Sequence, residues 1–353
     1  MTRVLCLFDH QGMRRGQGPV HRKDGDDGIG PYRVDHLIEM GFDLIPLPPS
    51  HGTLHRKIST VAEHRSGIPL DLAVRAIPRG RGVDVILAML EPMAAAPALA
   101  RRAGVWPYRR TPIHTVSCWW GEDLAHGNAD VRARVVRTAR EMNRIYVFSQ
   151  NQVALFADAG IDPDKVVAVP FGTDLDVFPD TRPKQKQFDV IAVGLDRGRD
   201  FDSLVLAAHF IPDIRIDLFT RPEMISVPLP QNVTIHGLVD GATHRANLAD
   251  SSLAVIPTHN FAYPTGQSVL LEAFASRTPA AITSTDAIQE YVDHGRTGFL
   301  LPLHEPEGIA AAIEDALGDD DRLASVGAAG RIEVERRFNN RHMWAHIARH
   351  LPQ

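Results

Sequence analysis

Twelve short apolar runs, each followed by a segment of helical period, constrain this chain more than any other feature. In order they are RVLCLFD, FDLIPLP, VDVILAML, PIHTVSC, RIYVFS and VVAVPFG, then FDVIAVG, IRIDLFT, VTIHG, LAVIPT, PAAIT and GFLL. Strands alternating with helices predict an α/β fold built from βα units around parallel sheets. Twelve strands are more than one sheet usually holds, so two sheets are expected. The length of 353 residues points the same way, since a single core rarely serves so many.

The rhythm breaks at GTDLDVFPDTRPKQKQ, residues 172 to 187, where apolar patterning stops and Pro, Asp and Lys accumulate. The expected organisation is a first domain over 1–172, a linker over 173–187 and a second domain over 188–335. A last helix over 336–353 has no strand after it and is expected to pack back towards the first domain.

Composition excludes several classes. Apolar residues make up 44% and charged residues 23%, with no apolar stretch of membrane-spanning length. The opening MTRVLCLFDHQG reads as a first strand rather than a leader. Net charge is −5 and the basic residues are scattered, which argues against a nucleic-acid partner. Cys6 and Cys118 fall in apparent strands, without metal-ligand spacing, so a reducing compartment is expected and neither a disulfide nor a zinc site. The pairs Arg101, Arg102 and Arg109, Arg110 read as a solvated face or as a peripheral contact with an anionic membrane.

Two stretches bear on a site. The segment from His10 to Arg33, rich in Gly and charge, follows the first strand, where ligands of open α/β sheets bind. Its middle reads as a lid or as a disordered surface insertion, with Gly28 and Gly30 on the binding side. The other is PTGQSVLLEAFASRTPAA, residues 264 to 281, whose turn opens a helix carrying one carboxylate, Glu272, in apolar company. That carboxylate is read as lying in the first turn, awaiting a polar partner.

Several motifs in order resemble retaining glycosyltransferase family 4: Gly237, SSLAVIPT, LEAFASRTP, EYVDHGRTGFLL and EGIAAAIEDAL, preceded by VFSQNQVALFADAGIDPDKVVAVPFGTDLDVF and VGLDRGRDFDSLVLAA. The likeness runs from about Arg144 onward. It implies a GT-B architecture, two Rossmann-like domains facing across a cleft, with a nucleotide-sugar donor held mainly by the second domain and the acceptor on the side of the first. It also implies a hexosyltransferase-like, metal-independent retaining enzyme working on a UDP-sugar, in the cytoplasm, with no cofactor. The acceptor would be a small molecule or lipid-linked.

Residue by residue, the resemblance makes Glu272 the second Glu of the family's E-x7-E motif, accepting hydrogen bonds from ribose hydroxyls. Pro264 stands where the first Glu would be, so backbone amides of Thr265, Gly266 and Gln267 are expected to hold the sugar instead. The TGQS turn, Thr265 to Ser268, presents a helix N-terminus to the phosphates. Arg199, oriented by Asp200, is preferred over Arg197 as the phosphate cation. Gly194 and Gly172 belong to the donor side, and Glu290 matches a family Glu or caps a helix.

In the first domain, Trp119, Trp120, Glu122 and Asp123 form the expected acceptor wall, Glu122 and Asp123 being grouped with Arg199 as catalytic. Neither His114 nor His126 matches the family's donor-contacting His securely. A nucleotide-sugar epimerase of the same architecture, or a nucleotide-sugar-binding protein without catalysis, stays open as an alternative.

Overall fold

The computed structural model describes residues 1–8, 31–47, 68–178 and 186–352. They form two compact units, one of residues 1–8, 31–47, 68–170 and 341–352, the other of 171–178 and 186–340.

All twelve apolar runs are strands, divided into two six-stranded parallel sheets. The first unit holds β1 (Arg3–Leu7), β2 (Asp43–Pro46), β3 (Val85–Ala88), β4 (Ile113–Val116), β5 (Arg144–Val147) and β6 (Val166–Ala168), in the order β2-β1-β3-β4-β5-β6. Every residue of β3 and β4 is buried. In β3 that goes with an apolar run without alternation, since a parallel strand covered on both faces has no solvent side for polar residues, and in β4 it encloses His114 and Thr115 as well. Their side chains meet Ala94 and Ala98 of the helix Glu91–Arg102, and Leu124, in one core.

Residues 341–352 belong to this unit. Trp344 is fully buried and donates its indole N–H to the Tyr32 carbonyl at 2.6 Å, and Arg341 pairs with Glu39 at 2.6 Å. Burying such an aromatic contributes on the order of 1.5–3 kcal/mol, enough to fix a terminal helix in place.

The second unit holds β7 (Phe188–Val193), β8 (Ile216–Phe219), β9 (Val233–Ile235), β10 (Ser251–Ile256), β11 (Ala280–Thr283) and β12 (Phe299–Leu301), ordered β12-β11-β10-β7-β8-β9. Leu253 pairs with Val190, and Val190 with Ile216, so the register aligns three apolar side chains across the sheet centre. Phe201, Leu204 and Val205 of the helix Phe201–Ala208 pack with Ile309 and Ile313 of the helix Pro306–Leu317 in its core.

Candidate functional site

In the second sheet β7 and β10 are neighbours, yet the chain leaves β7 towards β8 and β9 and returns on its other side through β10. The loops at their carboxyl ends therefore part from one another, which is the topological switch point where open α/β sheets bind ligands. Those loops are residues 194–200 and 257–266. Asp200 N donates to the Pro257 carbonyl at 3.1 Å and His259 N to that of Gly198 at 2.9 Å, around an antiparallel bridge between Arg199 and Thr258.

Arg199 is enclosed at this point, with its side chain 2% exposed. Its Nε donates to the Val193 carbonyl at 3.1 Å, while Nη1 lies 3.4 Å from Asp196 and has no hydrogen-bond partner. Two glycines make the space. A Cβ on Gly194, φ 157°, would stand 2.1 Å from Nε, and one on Gly266, φ 87°, would stand 3.1 Å from Nη1. A buried N–H without a hydrogen bond costs on the order of 1–3 kcal/mol, and here the Asp196 carboxylate offsets part of that through its charge alone.

The cation's carboxylate is Asp196, not Asp200 as expected. Asp196 also accepts from Gly198 N at 2.9 Å and Thr265 Oγ1 at 3.0 Å. Burial opposes its charge, but Arg199 and these hydrogen bonds outweigh burial and hold its carboxyl below the usual range. Asp200 turns away, capping the next helix through Ser203 N at 3.2 Å and facing His304 at 2.8 Å. Arg197 is exposed in the same loop, while Arg199 is enclosed.

The turn before the helix Gln267–Ala275 is similarly revised. Thr265 N donates to the Tyr263 carbonyl at 2.7 Å and Gln267 N to that of Pro264 at 3.1 Å. Two of the three amides expected to hold a sugar are thus used within the turn, leaving that of Gly266. Ser268 and Val269, in the first helical turn, have no carbonyl behind them in the helix, and their N–H groups form its positive end. Gln267 is buried, with Nε2 3.3 Å from Tyr263 Oη and Oε1 unpartnered, a second orphan beside Arg199 Nη1.

Glu272 lies in the second turn of this helix, not the first. It is buried, and its polar companion is His244 of the helix Gly241–Ala249, Nε2 to Oε2 3.0 Å. His244 was missed in the sequence because nothing local marks a residue 28 positions away as a carboxylate partner. Gly172 is explained by packing: its Cβ would stand 2.4 Å from the Asn339 carbonyl, beside a Thr173–Asn339 bridge, so close backbone approach requires glycine there. Glu290 is exposed in a turn and caps no helix.

In the first unit the switch point lies between β1 and β3. Gly28, Gly30 and most of the expected lid lie outside the described residues. Trp120 is part of the hydrophobic core rather than an acceptor wall, because the helix Trp120–His126 turns it inwards, and Trp119 is half-buried. Glu122 faces His126 one turn on at 2.8 Å, and Asp123 is half-buried.

The carboxylate the sequence did not reveal is Glu91. It accepts from Ser117 Oγ at 2.9 Å, Trp119 N at 2.5 Å and Cys118 N, and burial pushes its carboxyl up against those bonds. Just before it, Leu90 holds φ 69°, a conformation strained for any residue but glycine. His114 sits within β4, buried, with Nδ1 3.0 Å from Tyr146 Oη. Arg101 donates to the carbonyls of Tyr108, Thr111 and Glu141, so its guanidinium is committed within the fold rather than to a membrane. Cys118 lies just beyond β4, and it and Cys6 are buried and in no disulfide. Among the described residues no helix is long and apolar enough to cross a membrane.

Comparison with known proteins bears on the family likeness and the fold. Residues 217–319 match the family model described as glycosyl transferases group 1. D-inositol 3-phosphate glycosyltransferases of Gordonia bronchialis and Jonesia denitrificans are each 25% identical, over 63% and 67% of this chain and 56% and 63% of their own. That of Thermobispora bispora is 34% identical over 29% of this chain and 22% of its own. The chain thus spans less than two thirds of these curated relatives.

Sucrose-phosphate synthase of Thermosynechococcus elongatus superposes with a TM-score of 0.73 at 17% identity, covering 99% of both chains. Anabaena HepE in complex with UDP-glucose superposes at 0.70, with 16% identity and the same coverage. The fold is GT-B, and residues 217–319 of the second unit are similar to the group 1 glycosyl transferase model.

Proposed function

For a chain of the GT-B fold with a likeness to the group 1 glycosyl transferase model, we propose the activity of a retaining glycosyltransferase that moves a sugar from a UDP-sugar to an acceptor hydroxyl. One observation carries the reading. At the β7–β10 switch point a buried guanidinium with an orphan N–H stands against the glycine that opens a helix, and Glu272 lies in the second turn of that helix.

Departure of a nucleoside diphosphate gathers negative charge on the phosphates, which preorganised donors stabilise without reorganisation. Arg197, Arg199 and the helix N-terminus supply those donors, and Asp196 fixes Arg199 for the task. Because this charge is met by the chain itself, no cofactor or catalytic metal is required. Glu272 receives the ribose hydroxyls, its orientation set by His244. The Gly266 amide and the orphan Gln267 Oε1 stand where the donor sugar's hydroxyls are read. Trp119, Glu122 and Asp123 are the proposed acceptor-binding side chains of the first unit, for a small or lipid-linked acceptor.

Two buried cysteines in no disulfide, the thiol of Cys6 pushed up to about 12 by burial, suit a reducing cytoplasm. Incubation with a panel of UDP-sugars tests the activity. Slow donor hydrolysis, or transfer to an added acceptor, supports it. An isomerised sugar would instead identify an epimerase, and an unchanged donor despite binding would identify a binding protein.

A further inference from the structure

We infer that Asp200, His259 and His304 form a site for a divalent transition-metal ion of the zinc class, which ties together the loops following β7, β10 and β12. Each residue offers one ligand atom, and these atoms all lie within 4.8 Å of one another. Among the described residues, theirs is the one such group of His, Cys, Asp and Glu. No stretch of sequence announces it, because the three come from separate βα loops.

The backbone brings them together. The bridge between Arg199 and Thr258 sets Asp200 and His259 in adjacent loop segments, through Asp200 N to Pro257 O and His259 N to Gly198 O. His304 arrives from beyond β12 at φ 56°, a left-handed conformation that a residue other than glycine adopts only when its surroundings hold it there. Its ring centroid lies 5.3 Å from that of His259.

The ligand chemistry is that of zinc and its neighbours, two imidazoles and one carboxylate. Asp200 Oδ1 is occupied as a helix cap, and Oδ2 is the oxygen offered, 2.8 Å from His304 Nδ1. In tetrahedral zinc the bonds of about 2.0–2.1 Å set ligand atoms about 3.3 Å apart. The Asp200–His304 edge is already shorter than that, and His304, with its side chain 49% exposed, has freedom to open it. The ion takes the place of the proton shared on that edge, and water completes its shell.

Consequences follow for the neighbouring site, and this step rests on the proposed donor binding. Asp200 adjoins Arg199, and His259 anchors the loop that runs on to Gly266. An ion joining them stiffens the Arg199 loop and raises nucleotide affinity without touching the reacting atoms.

Zinc titrated calorimetrically into the metal-stripped full chain tests the site. One ion is expected per chain, with affinity reduced at least about tenfold in both His259→Gln and His304→Gln. Asp200 is left intact because it caps a helix. Cobalt(II) should give a visible absorption band that both variants lose. No zinc binding by the native chain, or zinc binding by both variants as tight as by the native chain, overturns the site. Zinc binding with UDP affinity unchanged overturns the coupling. Glu272→Gln separates the two readings: it should keep zinc while losing UDP, and a native chain that binds zinc but no nucleotide sinks the proposed function and leaves the metal site standing.

Discussion

His244 Nε2 lies 3.0 Å from Glu272 Oε2, and the two residues are 1% and 3% exposed. Within a helix interior this pair gives the Glu272 carboxylate one fixed orientation, and it makes truncation a poor probe. Removing one partner of a buried pair leaves the other uncompensated, at a cost of about 3–5 kcal/mol. Glu272→Gln keeps the shape and a hydrogen bond to His244, so the fold should persist. UDP affinity should fall by about 1.5–3 kcal/mol, the scale of hydrogen bonds to a charged group. Unchanged affinity in calorimetry would remove Glu272 from the site.

Arg199 yields a separable expectation, because its orphan Nη1 faces Gly266 and not the Glu272 end of the helix. Arg199→Lys keeps the positive charge but loses the forked donors that suit a phosphate. UDP should bind about 1.5–3 kcal/mol more weakly while uridine binding stays level. Equal loss for both ligands would mean that the substitution disturbed the loop rather than a phosphate contact.

Strands were the legible part of this molecule, and the reason is physical. Each run such as Val85–Ala88 or Ser251–Ile256 is buried on both sides, so its apolar character is continuous and unambiguous. Glycines at the switch point were legible too, since Gly194 and Gly266 hold conformations that other residues resist. Partner choice was not. Whether Arg199 meets Asp196 or Asp200, which polar partner Glu272 meets, and whether Trp120 faces in or out are settled by packing between distant elements. Sequence spacing carries little of that, and the Asp200, His259 and His304 group shows it most plainly.

His114 gives a pH prediction. Burial first, then the nearby Arg144, His350 and Arg101, lower its pKa from the model-compound 6.5 to about 3. Below pH 6.5 the unfolded chain therefore binds a proton that the folded chain refuses, so stability falls as the pH drops from 6.5 towards 3. At pH 5 this one group should cost about 2 kcal/mol relative to pH 7. Urea unfolding at both values would measure it, and His114→Asn should flatten that part of the profile. An identical slope in the variant would assign the acid sensitivity elsewhere.

The last expectation is stereochemical and concerns which side chains could act as a base. Inverting transfer needs a group that takes the acceptor proton on the face opposite the leaving phosphate. His114 is buried within β4 and bonded to Tyr146, which leaves it no route to an acceptor. His126 ends its helix exposed and turned towards Glu122, and His10 lies outside the described residues. Front-face attack asks less, because on the proposed reading the departing diphosphate lies at Arg197, Arg199 and the helix N-terminus and receives the proton itself. The product should then keep the donor's anomeric configuration, α from an α-linked UDP-sugar. Its anomeric coupling constant in NMR reads this directly, and a β-linked product would replace the retaining mechanism with an inverting one and require a base in the first unit.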